Sequence, residues 1–287
     1  MKKNYIILPM YNDWVSLRKV LDILNRSFKN TKDYNHIIIV NDCSDNKFQR
    51  KKYINFKSIT ILNLKKNVGS QKAIFFGLKY LQKVLKNNSS KATVSVLDSD
   101  GEDNPVMVKR LIKTANEKKD YFIFASRKQR TEGIFFKIFN QFRLIITYAL
   151  TGRYINFGNF SAFSSKLLNK LLANNELCLA YSSGVLKNYN KFSFLKIKKN
   201  KRFYGKSKVN LKFLLTHTLN IISVFYKTIF IRSTILFLLL SLIYDQFFFR
   251  LIFFILFFSI NLIFIFTYHF GKSNKLNLSL IKKIEII

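Results

Sequence analysis

Short apolar runs alternate with longer helical patterns through the first half of the chain. Tyr5–Leu8, Ile37–Val40, Ile59–Asn63, Thr93–Leu97 and Tyr121–Ala125 are rich in β-branched or aromatic residues and read as strands. Between them, Trp14, Leu17, Leu21 and Leu24 recur at helical spacing within Trp14–Phe28. Ala73, Phe76, Leu81 and Leu85 do the same within Gly69–Leu85, and Val106–Ala115 forms a further helical segment. This alternation predicts an α/β fold, a mostly parallel sheet with helices on its faces, whose ligands gather at the carboxyl ends of the strands. An aromatic-rich helical segment follows over 133–149, and then Phe157–Phe163 (FGNFSAF) as a Gly-containing turn or strand.

The pattern changes after the basic stretch Lys196–Lys208. Val209–Tyr226 is largely apolar with polar interruptions, which suits a helix lying in a membrane interface. Ile229–Tyr244 and Leu251–Tyr268 are almost continuously hydrophobic. The second would be about 27 Å long as a helix, against a hydrocarbon core of about 30 Å. The first contains Arg232, so it spans only if that side chain snorkels or the helix extends. The competing reading is a buried hairpin of a soluble protein. Lysines flank the pair: Lys206, Lys208, Lys212 and Lys227 before, Lys272, Lys275, Lys282 and Lys283 after. The positive-inside rule then places both ends in the cytoplasm. The expected division is an α/β domain over 1–208, a juxtamembrane amphipathic helix over 209–228, two transmembrane helices over 229–270 and a basic cytoplasmic tail over 271–287. That is a multi-pass protein of the cytoplasmic (inner) membrane with its α/β domain in the cytoplasm.

Charge changes this picture little. The chain carries 49 Lys+Arg against 15 Asp+Glu, a formal charge of +34, which would suit nucleic acid. Yet the lysines are spread along the chain and no nucleic-acid motif appears, so no nucleic-acid partner is expected. Acidic membrane lipids serve such a charge equally well. Cys43 and Cys178 lie far apart with no clustered His, which argues against a disulfide framework or a zinc site.

In so basic a protein, acid concentrated at a strand end needs a reason. Val96–Pro105 reads VLDSDGEDNP. Asp98 and Asp100 are spaced i, i+2 and project to the same side of extended backbone, where a hard divalent cation and a diphosphate could meet. A polar loop after a buried strand is the alternative. Asn41-Asp42 stands at the end of another strand.

Four segments in order, LPMYND (Leu8–Asp13), IIIVNDCSDN (Ile37–Asn46), NVGSQKAIFFGL (Asn67–Leu78) and VLDSDGEDNP, resemble the family 2 glycosyltransferases of the GT-A fold. The likeness is in particular to the polyprenyl-phosphate sugar transferases of the dolichyl-phosphate mannose synthase type, and covers roughly residues 4–210. The resemblance implies that Pro9 and Tyr11 edge the nucleotide and that Asp42 hydrogen-bonds base or ribose, a simple turn-forming role remaining open. It implies that Asp100 coordinates Mg²⁺ or Mn²⁺ while Asp98 faces the nucleotide sugar. Glu102 and Asp103 either line the sugar pocket or cap the helix that starts near Pro105. Arg127 and Arg130 fall where the family places arginines near acceptor or diphosphate. Arg202, Gly205, Lys206, Ser207 and Lys208 resemble the family R-x-x-G-x-S-K, either a phosphate site or a basic loop on acidic lipid heads. Asn159 is a further candidate for the donor sugar, and Asn67-Val68-Gly69 is read as structural, with Gly69 allowing close backbone approach.

The function implied is transfer of a sugar, with inversion, from a nucleotide-diphosphate sugar of UDP or GDP type to a polyprenyl phosphate at the cytoplasmic leaflet. The alternative acceptor is a sugar hydroxyl of a membrane-associated glycan, which needs a base from Glu132, Glu102 or Asp103. A non-catalytic membrane scaffold is the contrasting class, and the sequence leaves homo-oligomerisation open.

Overall fold

The computed structural model describes residues 1–49, 51–86, 91–127, 134–198, 200–205, 210–244, 246–272 and 278–287. Its centre is an eight-stranded mixed sheet in the order β7-β5-β6-β4-β1-β2-β3-β8. The strands are β1 (Lys3–Met10), β2 (Tyr34–Asn41), β3 (Ser58–Leu64), β4 (Ala92–Val96), β5 (Phe122–Arg127), β6 (Phe157–Ser164), β7 (Phe192–Ile197) and β8 (Ile281–Ile286). The helices are α1 (Trp14–Ser27), α2 (Ser70–Lys86), α3 (Met107–Glu117), α4 (Ile134–Thr151), α5 (Leu168–Leu172), α6 (Tyr181–Asn188), α7 (Leu211–Ser223), α8 (Tyr226–Ile243) and α9 (Phe247–Gly271).

Strand periodicity divides the core. Ile7, Ile38 and Val40 point to the face covered by α2, α5 and α6. Ile6, Leu8, Ile37 and Ile39 point to the face covered by α1 and α3. Burial on both faces is why β1 and β2 read as unbroken apolar runs. β1 pairs in parallel with β2 on one side and β4 on the other. The chain therefore leaves β1 in one direction through α1 and returns to its far side through α2, which makes the β1–β4 border a topological switch point. The carboxyl ends of β1, β2 and β4 open together there. β6, left open as turn or strand, is a strand antiparallel to β4.

The segment 271–287, expected as a basic tail, is corrected in part. Ile281–Ile286 is an edge strand antiparallel to β3, and Asn63 donates to Glu285 at 3.0 Å. An Ile-Lys-Lys-Ile-Glu-Ile strand offers Ile281 to the sheet and Lys282 and Lys283 to water, which discourages pairing with another edge. The helical pair therefore starts and ends beside the same sheet.

α8 and α9 are both long and apolar enough to cross a membrane, and only 6% and 11% of their most apolar stretches are buried. They run longer than the sequence spans, starting at Tyr226 and ending at Gly271, because hydropathy windows stop at polar residues that a helix passes through. Arg232 is turned from the apolar side: its guanidinium donates to the Ala149 carbonyl at 2.8 Å, at the end of α4, where the helix dipole favours a cation. Asn261 donates to Ser233 at 2.9 Å and ties α9 to α8.

A buried polar cluster fastens this helical pair to the sheet domain. Glu176 is 2% exposed. It meets Lys187 at 2.8 Å and accepts from Asn188 at 2.6 Å and from the Tyr268 hydroxyl of α9 at 3.0 Å. Lys187 also donates to the Val224 carbonyl at 2.8 Å and lies over the Tyr268 ring. α5, α6 and β7 have no counterpart in the sequence reading; their apolar runs are too short to carry a periodicity.

Candidate active site

Each parallel strand end delivers one side of a cleft of about 220 Å³, lined by Pro9, Tyr11, Asp13, Asp42, Asp98, Asp100 and Arg202, with Met10, Ser70, Ala73 and Ser99. Pro9, Tyr11, Asp42, Asp98, Asp100 and Arg202 thus come together as expected from the sequence. Glu102 and Asp103 do not line the cleft. The Arg127 side chain, Arg130, Glu132, Lys206, Ser207 and Lys208 lie outside the described residues.

Asp42 directly follows β2 and is 3% exposed. Its two oxygens accept from the amides of Val68 at 2.7 Å and Gly69 at 2.9 Å, so it pins the loop that enters α2. Burial pushes its carboxyl above the ordinary range, and the two amides partly offset this. Gly69 was expected where backbone passes close to a neighbour. Instead there is open space where its side chain would be, and its φ of +85° is what requires glycine. Asn41 donates to Asn63 at 2.7 Å and accepts from the Ser44 amide at 3.0 Å. Asn63 in turn donates to Glu285, so the Asn41 amide is used in both directions, and an aspartate would lose the bond donated to Asn63.

The acidic motif turns tightly. The Asp100 carboxylate accepts from the Glu102 amide at 2.9 Å, and Gly101 takes φ +83°. The expectation that Asp103 caps the next helix is corrected: the cap position of α3 is Val106 without a side-chain bond, while Asn104 accepts from the Val106 amide at 3.1 Å. Asp103 is buried at 7% exposure.

Residues 200–205 lie across this motif. The amides of Asn200 and Phe203 donate to the carbonyls of Glu102 at 2.8 Å and Asp100 at 3.0 Å. Phe203 sits against Gly101 so closely that a methyl group there would overlap the ring, and Lys19 lies 4.6 Å from the same ring's centroid. Gly101→Ala should therefore both strain the turn, at about 1–3 kcal/mol, and expel Phe203. The expected readout is a lower Tm together with greater protease sensitivity of the 200–205 segment; a variant matching the parent in both would refute the packing described.

Arg202 comes from this crossing segment. It meets Asp13 at 2.6 Å and Asp100 at 3.3 Å, two carboxylates from different strand ends. Asp13 is the residue the sequence reading missed. It sits in the LPMYND motif, but its evident role there is to cap α1, where it accepts from the Ser16 amide at 3.2 Å; only the fold shows its other oxygen on Arg202. On the far wall, Asn159 of β6 donates to Asp98 at 3.4 Å.

Asp98 and Asp100 supply hard oxygen donors, and the guanidinium on Asp100 already occupies a cation position. That chemistry fits a divalent ion of the Mg²⁺ or Mn²⁺ kind. Among the described residues no three His, Cys, Asp or Glu side chains converge on a closed metal site, so such an ion would take most of its ligands from a bound diphosphate and water.

Comparisons agree with this architecture. A curated relative, an uncharacterized glycosyltransferase of Synechocystis, is 27% identical over 175 residues, 58% of this chain. The chain spans about half the length of that relative, 51%. Two solved structures of glucosyl-3-phosphoglycerate synthase from Mycobacterium tuberculosis match as well. One holds phosphoglyceric acid; the other holds Mn²⁺, UDP-glucose and phosphoglyceric acid. Each is 13% identical with a TM-score of 0.52, covering 79% of this chain and 80% of that one. At that identity they establish the shared GT-A fold alone. The model of glycosyl transferase family 2 matches residues 5–190, which takes in β1 to β6 and every motif of the cleft up to Asn159. This chain therefore belongs to the family 2 glycosyltransferases.

Proposed function

We propose that the chain is a membrane-anchored, inverting, metal-dependent transferase that moves a sugar from a nucleoside-diphosphate sugar to a polyprenyl phosphate at the cytoplasmic face. The observation that carries this reading is the meeting of Asp98, Asp100, Asp42, Tyr11 and Arg202 in one cleft on a domain fastened by Glu176 to two exposed apolar helices. Tyr11 offers a ring to the base and Asp42 a carboxylate edge. Asp98 and Asp100 would hold Mg²⁺ or Mn²⁺, which supplies charge neutralisation to the leaving diphosphate. Arg202 is placed to take up phosphate charge once it leaves the carboxylates. At about 220 Å³ the cleft is smaller than the ~300–1,000 Å³ usual for bound ligands, which supports displacement of Arg202 when donor enters.

A phosphate oxygen of the acceptor attacks the anomeric carbon, the bond from that carbon to the diphosphate breaks, and the nucleoside diphosphate departs. Such an acceptor is already an anion, so no general base is needed. This agrees with the position of Glu102 and Asp103 outside the cleft lining. The membrane part of the reading rests on α8 and α9 with both ends beside one sheet, as an even number of crossings requires. It is also supported by apolar side chains that α4 exposes on one face, Ile138, Phe142, Ile145 and Tyr148, and by Leu211, Leu215 and Leu219 of α7. The flanking lysines support placing both ends of the pair on the cytoplasmic side.

Membranes carrying the chain, incubated with Mn²⁺ and a panel of radiolabelled UDP and GDP sugars, should yield label that enters organic solvent and is released by mild acid. Label found only in polymeric glycan would overturn the lipid-phosphate acceptor.

A further inference from the structure

Gln71 stands on the first turn of α2 beside the cleft, and its side chain joins three elements. The amide of Tyr181, at the start of α6, donates to Gln71 Oε1 at 2.7 Å. Gln71 Nε2 donates to Asn159 Oδ1 of β6 at 3.3 Å, and Asn159 Nδ2 donates to Asp98 Oδ1 at 3.4 Å. A peptide N–H can only donate. That one fact sets the direction of every bond after it: the Gln71 carbonyl faces Tyr181, its NH₂ faces Asn159, and Asn159 has its own NH₂ left for Asp98.

We propose that Gln71 is a positioning residue of the donor site: it fixes the amide of Asn159 so that a hydrogen-bond donor, not an acceptor, is held against Asp98. The Asp98 carboxylate is thereby kept an acceptor in the cleft, in the state needed for a cation and a sugar diphosphate. The relay begins on α6, whose other end carries Lys187 and Asn188 of the Glu176 cluster, so the helix that docks α9 also orients the donor site. This inference rests on the donor-site reading of Asp98 and Asp100.

The test uses the full chain in detergent, with UDP as probe in the presence of Mn²⁺. Gln71→Glu keeps the acceptor for Tyr181 but cannot donate; it draws in the Asn159 NH₂ and turns the Asn159 carbonyl toward Asp98. Gln71→Met makes neither bond and lets Asn159 rotate to suit Asp98. Mn²⁺-dependent UDP affinity should therefore fall about tenfold in Gln71→Glu and by only about two- to threefold in Gln71→Met. A purely structural role for Gln71 predicts the reverse order, because Gln71→Glu preserves the Tyr181 bond. Adding Asn159→Ala to Gln71→Glu should remove most of the penalty; a penalty that persists would mean direct charge repulsion and would overturn the relay, as would the reverse ranking. If Asp100→Asn keeps full Mn²⁺-dependent UDP binding, the donor-site reading fails separately. Melting temperatures then judge the relay: the shift of Gln71→Glu must be non-additive with that of Asn159→Ala. Additive shifts overturn it.

Discussion

Asp100→Ala is expected to lower Mn²⁺-dependent sugar transfer about a thousandfold while leaving the fold intact. The size follows from removing an electrostatic anchor at the place where leaving-group charge develops. The fold should survive because Asp100 meets Arg202 at 3.3 Å with both side chains 22% exposed, and partly exposed pairs contribute only about 0–1 kcal/mol. Arg202 keeps its shorter contact to Asp13 at 2.6 Å in the variant. Donor turnover by purified full-length protein, with circular dichroism as the folding control, is the measurement; activity within tenfold of the parent would remove Asp100 from the site. Arg202→Met gives the complementary result. Without the competing guanidinium, half-activity should be reached at several-fold lower Mn²⁺, while KM for the donor rises because a phosphate partner is gone.

Glu176→Ala should be the most destabilising single change outside the sheet core. The carboxylate is 3% exposed in its pair with Lys187 and holds Asn188 and Tyr268 as well. Removing it strands the Lys187 ammonium among the Val224 carbonyl and two tyrosine rings. Losing one partner of a buried pair costs about 3–5 kcal/mol, which for a chain of this size lowers Tm by about 10 °C. The effect should be local first. α9 loses its polar tie to the sheet domain, so limited proteolysis should release the domain from the apolar helices before global melting. A Tm within about 2 °C of the parent, with an unchanged proteolytic pattern, would show that the cluster is not what fastens the helical pair. Glu176→Gln, which keeps one acceptor oxygen but turns the other into a donor and loses the charge, should fall between the two.

Much of this site is legible in the linear chain because the cleft is built where strands end. Pro9, Tyr11, Asp42, Asp98 and Asp100 stand immediately after apolar runs, and a parallel sheet necessarily brings those ends to one edge. Nothing local marks Asp13 as a site residue, since a helix N-cap is enough to explain an aspartate before Trp14. Gln71 is equally unmarked, because one polar residue near the start of an amphipathic helix carries no signal of its own. The assignment of Asp103 as a cap failed for a related reason: an acid before a helix is a common cap, but here the chain makes an additional turn at Asn104, and Asp103 is carried inward.

The sequence by itself determined the order of the elements up to β5, the position of the acidic motif at a strand end and the presence of two long apolar helices. Each is written in local periodicity, in side chains a few residues apart. Only the tertiary structure decided that Arg202 spans Asp13 and Asp100, that Asn63 meets Glu285 across 222 residues, that Glu176 is buried beneath α9 and that Gln71 orients Asn159. Those contacts depend on which strand lies beside which and on the direction in which each bond donates. Neither quantity has a period along the chain, so they exist only once the sheet has assembled.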